Sequence, residues 1–128
     1  MTTNGTDAQA LASAYGPMLD ALQTALETEI GPLRWIPRDD ATDVTRHDGS
    51  RALRVAAING IGVRTAELDP PRLTRVVNQV LARHGFPEQP VMTGSPSGHL
   101  VCEATDASGA ELTLLVKAAV DAWVDQPR

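Results

Sequence analysis

The chain has 128 residues, of which 42% are hydrophobic and 21% are charged, and its formal net charge at pH 7 is -5. This length and balance predict one globular domain, and the acidic excess argues against nucleic-acid or anionic-membrane partners, which attract basic surfaces. No stretch has the apolar run of a signal peptide or a membrane span, so we expect a cytoplasmic protein.

The first predicted element is a helix over residues 7–30. Residues 1–6 are polar and are expected to be disordered, which makes residues 7–128 the single domain. Apolar residues then recur every three or four positions, as on one face of a helix. They are Leu11, Tyr15, Met18, Leu22 and Leu26. Pro17 interrupts the pattern, and because proline removes a helical hydrogen bond we expect a kink or a new helix start there.

Three strands are predicted after this helix. Residues 33–36 form a short candidate strand, and residues 41–46 and 51–58 flank Asp48-Gly49, a pair typical of hairpin turns. Asn59-Gly60 predicts a second tight turn at the end of the third strand.

A second helix, at 70–84, has signals at both of its ends. Asp69 can accept hydrogen bonds from the first turn, and Pro70 suits a position whose N–H has no helical partner. Gly85 can take the left-handed conformation that ends a helix, with Phe86 packing back onto Leu81. His84, in the last turn, is placed to interact with the helix dipole.

Three more strands complete the pattern, at 99–105, 111–117 and 118–125. In the last segment Val120, Ala122 and Val124 alternate with Asp121, Trp123 and Asp125. This alternation predicts a strand with Trp123 on its polar face. The whole order, α-β-β-β-α-β-β-β, predicts an α+β two-layer sandwich, with two helices packed on one face of a mostly antiparallel sheet.

The element order, the helix ending in Arg-His-Gly-Phe and the hairpin Thr-Asp-Ala-Ser-Gly-Ala-Glu-Leu-Thr-Leu-Leu-Val resemble small actinobacterial LppA-like lipoproteins and related uncharacterised α+β domains. The resemblance covers residues 33–125 by pattern. It implies a bacterial α+β domain and no particular chemistry. The sequence lacks the lipid-attachment cysteine of such lipoproteins, so membrane anchoring is not implied.

An acidic motif, Asp39-Asp40-Ala-Thr-Asp43, matches the Asp-Asp-x-x-Asp motif of isoprenoid synthases. In those enzymes the carboxylates hold Mg²⁺ from a helix, consistent with the oxygen ligands that this ion prefers. Here the motif follows Pro37 and precedes a predicted strand, and the chain is too short for a helical synthase. We therefore interpret it as a solvated acidic turn.

No other motif predicts catalysis, a metal or a cofactor. His99 and Cys102 fall on opposite faces of their predicted strand, and a lone Cys102 is typical of a small buried thiol. The two glycine-containing loops, 60–62 and 94–98, lack the residues of a phosphate-binding loop or a nucleophile elbow.

The sequence therefore favours a non-catalytic protein-binding domain, a small acidic inhibitor or immunity-type partner of a basic protein. Its predicted contact residues are Asp39, Asp40, Asp43 and Trp123, with the carboxylates supplying charge complementarity and Trp123 an aromatic anchor. Two alternatives remain open. One is a homo-oligomerising subunit of a secretion or envelope assembly. The other is a small-molecule-binding domain or small enzyme.

Overall fold

The structure, a computed structural model, describes residues 4–36 and 41–128. Helix α1 spans Asn4–Ile30, helix α2 spans Pro70–Arg83, and a short 3-10 helix spans Thr65–Glu67. The strands are β1 (Arg34–Ile36), β2 (Thr42–Thr45), β3 (Arg51–Ile61), β4 (Thr93–Gly94), β5 (Leu100–Thr105), β6 (Glu111–Val116) and β7 (Ala119–Pro127). The predicted α+β class and element order are confirmed.

The strands form one antiparallel sheet in the order β1-β3-β7-β6-β5-β4, and β2 pairs with the same edge of β3 as β1 does. The long strand β3 therefore carries β1 on residues 59–61 and β2 on residues 51–54. The predicted final strand is confirmed as β7, which lies between β3 and β6 in the middle of the sheet.

One face of the sheet is covered by the two helices. Helix α1 lies against β3 and β7, and α2 packs beside α1. The leucines of α1 and Met18 are buried, as are inward residues of β6 and β7. They include Leu11, Met18, Leu19, Leu22 and Leu26 from the helix, and Leu112, Leu114, Val120, Ala122 and Val124 from β6 and β7. Within the described residues, the predicted apolar stripe on α1 therefore packs in the core.

Helix α2 has the ends that its sequence predicts. The Asp69 side chain accepts a hydrogen bond from the backbone N–H of Arg72 at 3.3 Å, and Pro70 occupies the first turn. At the other end Gly85 has a φ of 82°, and the Phe86 N–H donates to the carbonyl of Leu81 at 3.0 Å. The buried Phe86 ring then closes the helix end against the core.

Three expectations are corrected. Helix α1 begins at Asn4, three residues before its predicted start at residue 7. It continues as one helix through Pro17 and does not restart there. The buried residues on both sides of Pro17 bind the helix to the sheet, and this packing outweighs the proline penalty.

The third correction concerns Asn59-Gly60, which lies inside β3 and does not form a turn. The Trp35 ring covers Gly60 so closely that a Cβ there would lie 2.8 Å from the ring. Glycine is therefore required by the close approach of the indole, and not by a turn. Trp35 itself is fixed on the helical side, where its Nε1 donates to Glu27 of α1 at 2.7 Å.

Candidate functional site

The face of the sheet opposite the helices, here called the open face, carries most of the polar strand residues. Residues paired directly across antiparallel strands share a face, so the registers place its side chains in rows. The row through Trp123 continues to Thr113 of β6 and Glu103 of β5. The next row runs from Arg54 through Asp125 and Glu111 to Thr105.

Trp123 lies near the middle of the open face and is half-buried. The Arg54 guanidinium sits over its ring, with its central carbon 4.8 Å from the ring centroid. This cation–π contact holds the indole against the sheet. The alternation of β7 predicted this outward position, and the structure confirms that Trp123 shares a face with Asp121 and Asp125.

A groove of about 710 Å³ lies beside Trp123 on the open face. The strands form its floor, and the β2–β3 hairpin turn, with Arg46, His47 and Asp48, forms its rim. The turn is closed by the Arg46 N–H, which donates to the carbonyl of Ser50 at 2.8 Å. We call this feature the Trp123 groove.

Two arginines in the Trp123 groove are neutralised by carboxylates. Arg54 donates to both oxygens of Asp125, at 2.7 and 3.0 Å, and Asp125 is only 3% exposed. A two-pronged geometry of this kind is what a buried carboxylate needs to offset its desolvation. Arg46 reaches across the sheet from the hairpin turn and forms an ion pair with Glu111 of β6.

The carboxylates beyond these pairs make the open face acidic. Glu103 is exposed, and Asp121 accepts a hydrogen bond from the neutral Asn59 side chain. On the rim, hydrogen bonds from the Ser50 side chain and backbone lower the pKa of the Asp48 carboxyl group and favour its ionised form. The groove therefore favours a cationic group over an anionic one.

Asp43, one of the acidic residues predicted to contact a partner, does not share a face of the sheet with Trp123. Asp43 of β2 pairs in register with Leu53, whose side chain lies in the core, so Asp43 faces the helical side of the sheet edge. There it accepts a hydrogen bond from Arg128 at 2.7 Å. Asp39 and Asp40 lie outside the described residues, so their predicted contact role is neither supported nor opposed.

The residues that the sequence left out of the site are Arg46, Arg54, Glu103, Glu111 and Asp125. Their contacts join positions far apart in the chain, such as Arg54 with Asp125, and a local sequence motif cannot predict such pairs. Strand alternation does carry a partial signal. In β6 it places Glu111 and Thr113 on the face opposite Leu112 and Leu114.

The thiol of Cys102 is buried on the helical side, as the sequence predicts. Burial, assisted by the nearby charge of Glu103, raises its pKa to about 11. A thiol with so high a pKa is neutral at physiological pH and is a poor nucleophile or metal ligand. His99 lies elsewhere and shares a hydrogen bond of 2.7 Å with Ser97 in an exposed turn.

In residues 4–36 and 41–128, no three His, Cys, Asp or Glu side chains come together in a way that could hold a metal ion. Over the same part of the chain, neither helix combines the length and hydropathy that a membrane span needs. Comparisons of this chain with models of protein families, with curated proteins and with solved structures find no match.

Proposed function

We propose that this domain binds a basic protein partner through the open face of its sheet. The observation that carries the proposal is the half-buried Trp123 at the edge of an acidic groove, on a face that no described element covers. Tryptophan residues in such positions act as anchors, because one side chain contributes a large contact area at little entropic cost.

The charge distribution supports a basic partner. Arg54 and Arg46 are already paired with Asp125 and Glu111, so an incoming Lys or Arg side chain meets the carboxylates of Glu103 and Asp121. Such charges speed the encounter with a basic surface and disfavour acidic competitors. An inhibitor or immunity-type role, acting from the cytoplasm by occluding the partner, is the form of this proposal that the acidic surface favours.

The first experiment tests the anchor. The tagged chain and its Trp123→Ala variant are used side by side to capture partners from the source cell, and the affinity of the captured protein is then measured for each. Loss of an anchor costs about 2 kcal/mol or more, which is about thirtyfold in affinity. Equal affinity of the two chains would remove Trp123 and the open face from the proposal.

A second experiment separates the open face from the opposite side. Glu103→Gln removes a charge from the open face, and Asp43→Asn removes one from the helical side of the edge. We expect only Glu103→Gln to slow association, and we expect this difference to shrink in high salt because salt screens exposed charges. Slower association with Asp43→Asn alone would move the binding surface to the β2 edge.

A second candidate function follows from the size of the Trp123 groove. Its volume of about 710 Å³ lies in the range of small-molecule sites, and an aromatic ring with carboxylates suits a small organic cation. A ligand that binds only the native state raises the melting temperature. A thermal shift with a quaternary ammonium or guanidinium compound in the native chain, absent in Trp123→Ala, would favour this reading over the protein partner.

A further inference from the structure

Besides the open face, the sheet has an edge at β5 where backbone N–H and C=O groups are without a paired strand among the described residues. Among the described residues, β4 pairs with this edge only at Leu100 and Val101. The chain then leaves the edge, because the Met92 N–H donates to the Thr74 side chain of α2 at 2.8 Å. Beyond Val101 the described residues leave this edge of β5 without a paired strand, and at Cys102 and Glu103 it lies beside a groove of about 370 Å³.

The hydrogen-bond phase shows which backbone groups of β5 point outward. The Ser95 N–H donates to the carbonyl of His99 across the β4–β5 hairpin, and the Asp106 N–H donates to Ala110 across the β5–β6 hairpin. Since the phase alternates along an antiparallel strand, Glu103 and Thr105 direct both their N–H and C=O groups away from β6. Unpaired edges of this kind are templates for another strand.

We propose that a second copy of this chain pairs with β5 through this edge, in an antiparallel register centred on Ala104. In this register Glu103 lies opposite Thr105 of the second copy, and Thr105 lies opposite its Glu103. These are the two residues whose backbone groups point outward, so the edge is complementary to itself and closes a two-fold dimer.

Charge and chain length both fit this register. Like charges directly opposite each other destabilise a strand pair, and centring on Ala104 keeps the two Glu103 side chains from lying opposite each other. Each β5 ends at Thr105, so its chain turns away at Asp106, which lies opposite Cys102 of the other copy. Next to Cys102, β4 already pairs with Val101, so the free part of the edge is as long as the part of β5 that the second copy supplies.

An apolar contact lies beside the proposed junction. Val91 is 50% exposed and lines the groove between residues 89–91 and β5. The β5–β6 turn of the second copy, with its exposed Ala107, would reach this groove. A partly exposed valine at a free edge gains burial when the edge is extended.

The dimer would join two sheets into one continuous sheet. The two-fold axis stands perpendicular to the sheet, because directly paired residues share a face. Both open faces, and both Trp123 grooves, therefore lie on the same side of the assembly. The pairing of β5 with a second copy is independent of whether the Trp123 groove binds a protein.

The first test is the mass of the chain in solution. Sedimentation equilibrium across the micromolar to millimolar range should show a dimer of twice the 13.6 kDa chain mass. Thr105→Pro removes an outward N–H and leaves the β6 ladder intact, since proline is tolerated on an edge where its missing donor faces outward. We expect it to weaken the dimer about tenfold or more while the monomer stays folded.

The second test fixes the register. In a Cys102→Ala background, the double variant Glu103→Cys/Thr105→Cys places thiols on directly opposite residues, about 5.5 Å apart at Cα and within the range that a disulfide spans. Oxidation should give a covalent dimer. Either single variant alone should form no covalent cross-link, whereas a mixture of the two single variants should cross-link.

The matched control is the outer edge of β2, with Asp43→Cys/Thr45→Cys in the same background. A monomer throughout the concentration range, with no cross-linking of the β5 double variant, would overturn the proposal. Cross-linking of the β2 variant in place of the β5 variant would also overturn it and would assign self-association to the other edge. Dimerisation that Thr105→Pro weakens, together with β5 cross-linking, is the supporting result.

Discussion

Two faces of one strand, β7, separate residues that stabilise this domain from residues that we propose bind a partner. On one side Val120, Ala122 and Val124 are fully buried beneath the helices. On the other, Asp121 and Trp123 are half-buried on a face that no described element covers, with Asp125 held by Arg54. The same backbone thus serves a dry core and a polar surface, so substitutions one residue apart should have very different consequences.

The largest contrast is expected on β6, between two adjacent leucines. Leu114 is fully buried on the helical side, so Leu114→Ala should lower the free energy of unfolding by about 2–5 kcal/mol. Leu115 lies on the open face, and Leu115→Ala should cost less than about 1 kcal/mol. Urea denaturation of both variants measures the difference. Equal losses would show that the open face is covered by something else.

A smaller contrast is expected within the open face, between its two ion pairs. Arg54→Ala leaves the 3% exposed Asp125 without a partner, and should lower the free energy of unfolding by about 2 kcal/mol. Arg46→Ala leaves Glu111, which is 38% exposed at its side chain and can be hydrated, so its effect should be smaller. If Arg46→Ala proved the more damaging change, the Arg46–Glu111 pair would be the one that supports the fold.

Burial of Cys102 on the helical side of the sheet should also make the stability of the domain depend on pH. Because burial raises the pKa of Cys102 to about 11, the native state keeps a proton that the unfolded state releases above about pH 8.5. Stability is therefore intact below that pH and should fall as the pH rises toward 11, by at most about 1.4 kcal/mol per pH unit. Chemical denaturation at a series of pH values measures the slope.

Cys102→Ala is the control for this slope. The variant should flatten the decline but not abolish it, because burial, and then the hydrogen bond to Asp106, also raise the pKa of Tyr15. A decline that is unchanged in Cys102→Ala would assign the whole effect to other groups.

The smallest effect is expected where α1 meets the β5–β6 turn. The Tyr15 hydroxyl donates to Asp106 at 2.5 Å, and although burial alone raises the pKa of Asp106, hydrogen bonds from Tyr15, Ser108 and Ala110 lower it overall. Tyr15→Phe should cost about 1 kcal/mol near neutral pH. A carboxyl group whose pKa is lower in the folded state stabilises the fold fully at pH values above its pKa in the unfolded state. This contribution is lost as the pH falls through the folded-state pKa, so the difference between the two chains should vanish as Asp106 is protonated in acid. A difference that persists in acid would point to packing and not to the hydrogen bond.

The sequence predicts the elements whose signals are local. Helix α2 has both caps within its own few residues, and the Asp48-Gly49 hairpin is present with Gly49 at a φ of 84°. The alternation in β7 is also local, and it places Trp123 on the correct face. The predictions from local propensity were wrong at Pro17 and at Gly60. Packing of α1 keeps the helix continuous through Pro17, and the ring of Trp35 lies against Gly60 within a strand.

The candidate site could be predicted only in part, for a different reason. Trp123 follows from strand period alone, but its partner Arg54 lies 69 residues earlier in the chain and is brought next to it by strand pairing. Charge alone groups Asp43 with Trp123, whereas the register of β2 places Asp43 on the other side of the sheet. A one-residue change in register exchanges the two faces, so charge alone cannot group residues across strands.

The central position of β7 has a consequence for synthesis. Helix α2 and other strands lie between β3 and β6 in the sequence. Among the described strands, these two do not pair directly, and β7 lies between them. During translation, the edges of β3 and β6 that pair with β7 therefore stay unpaired until residues 119–127 have emerged from the ribosome. Such late, long-range pairing slows folding and leaves strands exposed to incorrect partners. We expect the sheet to be completed only when β7 is available to pair with both β3 and β6.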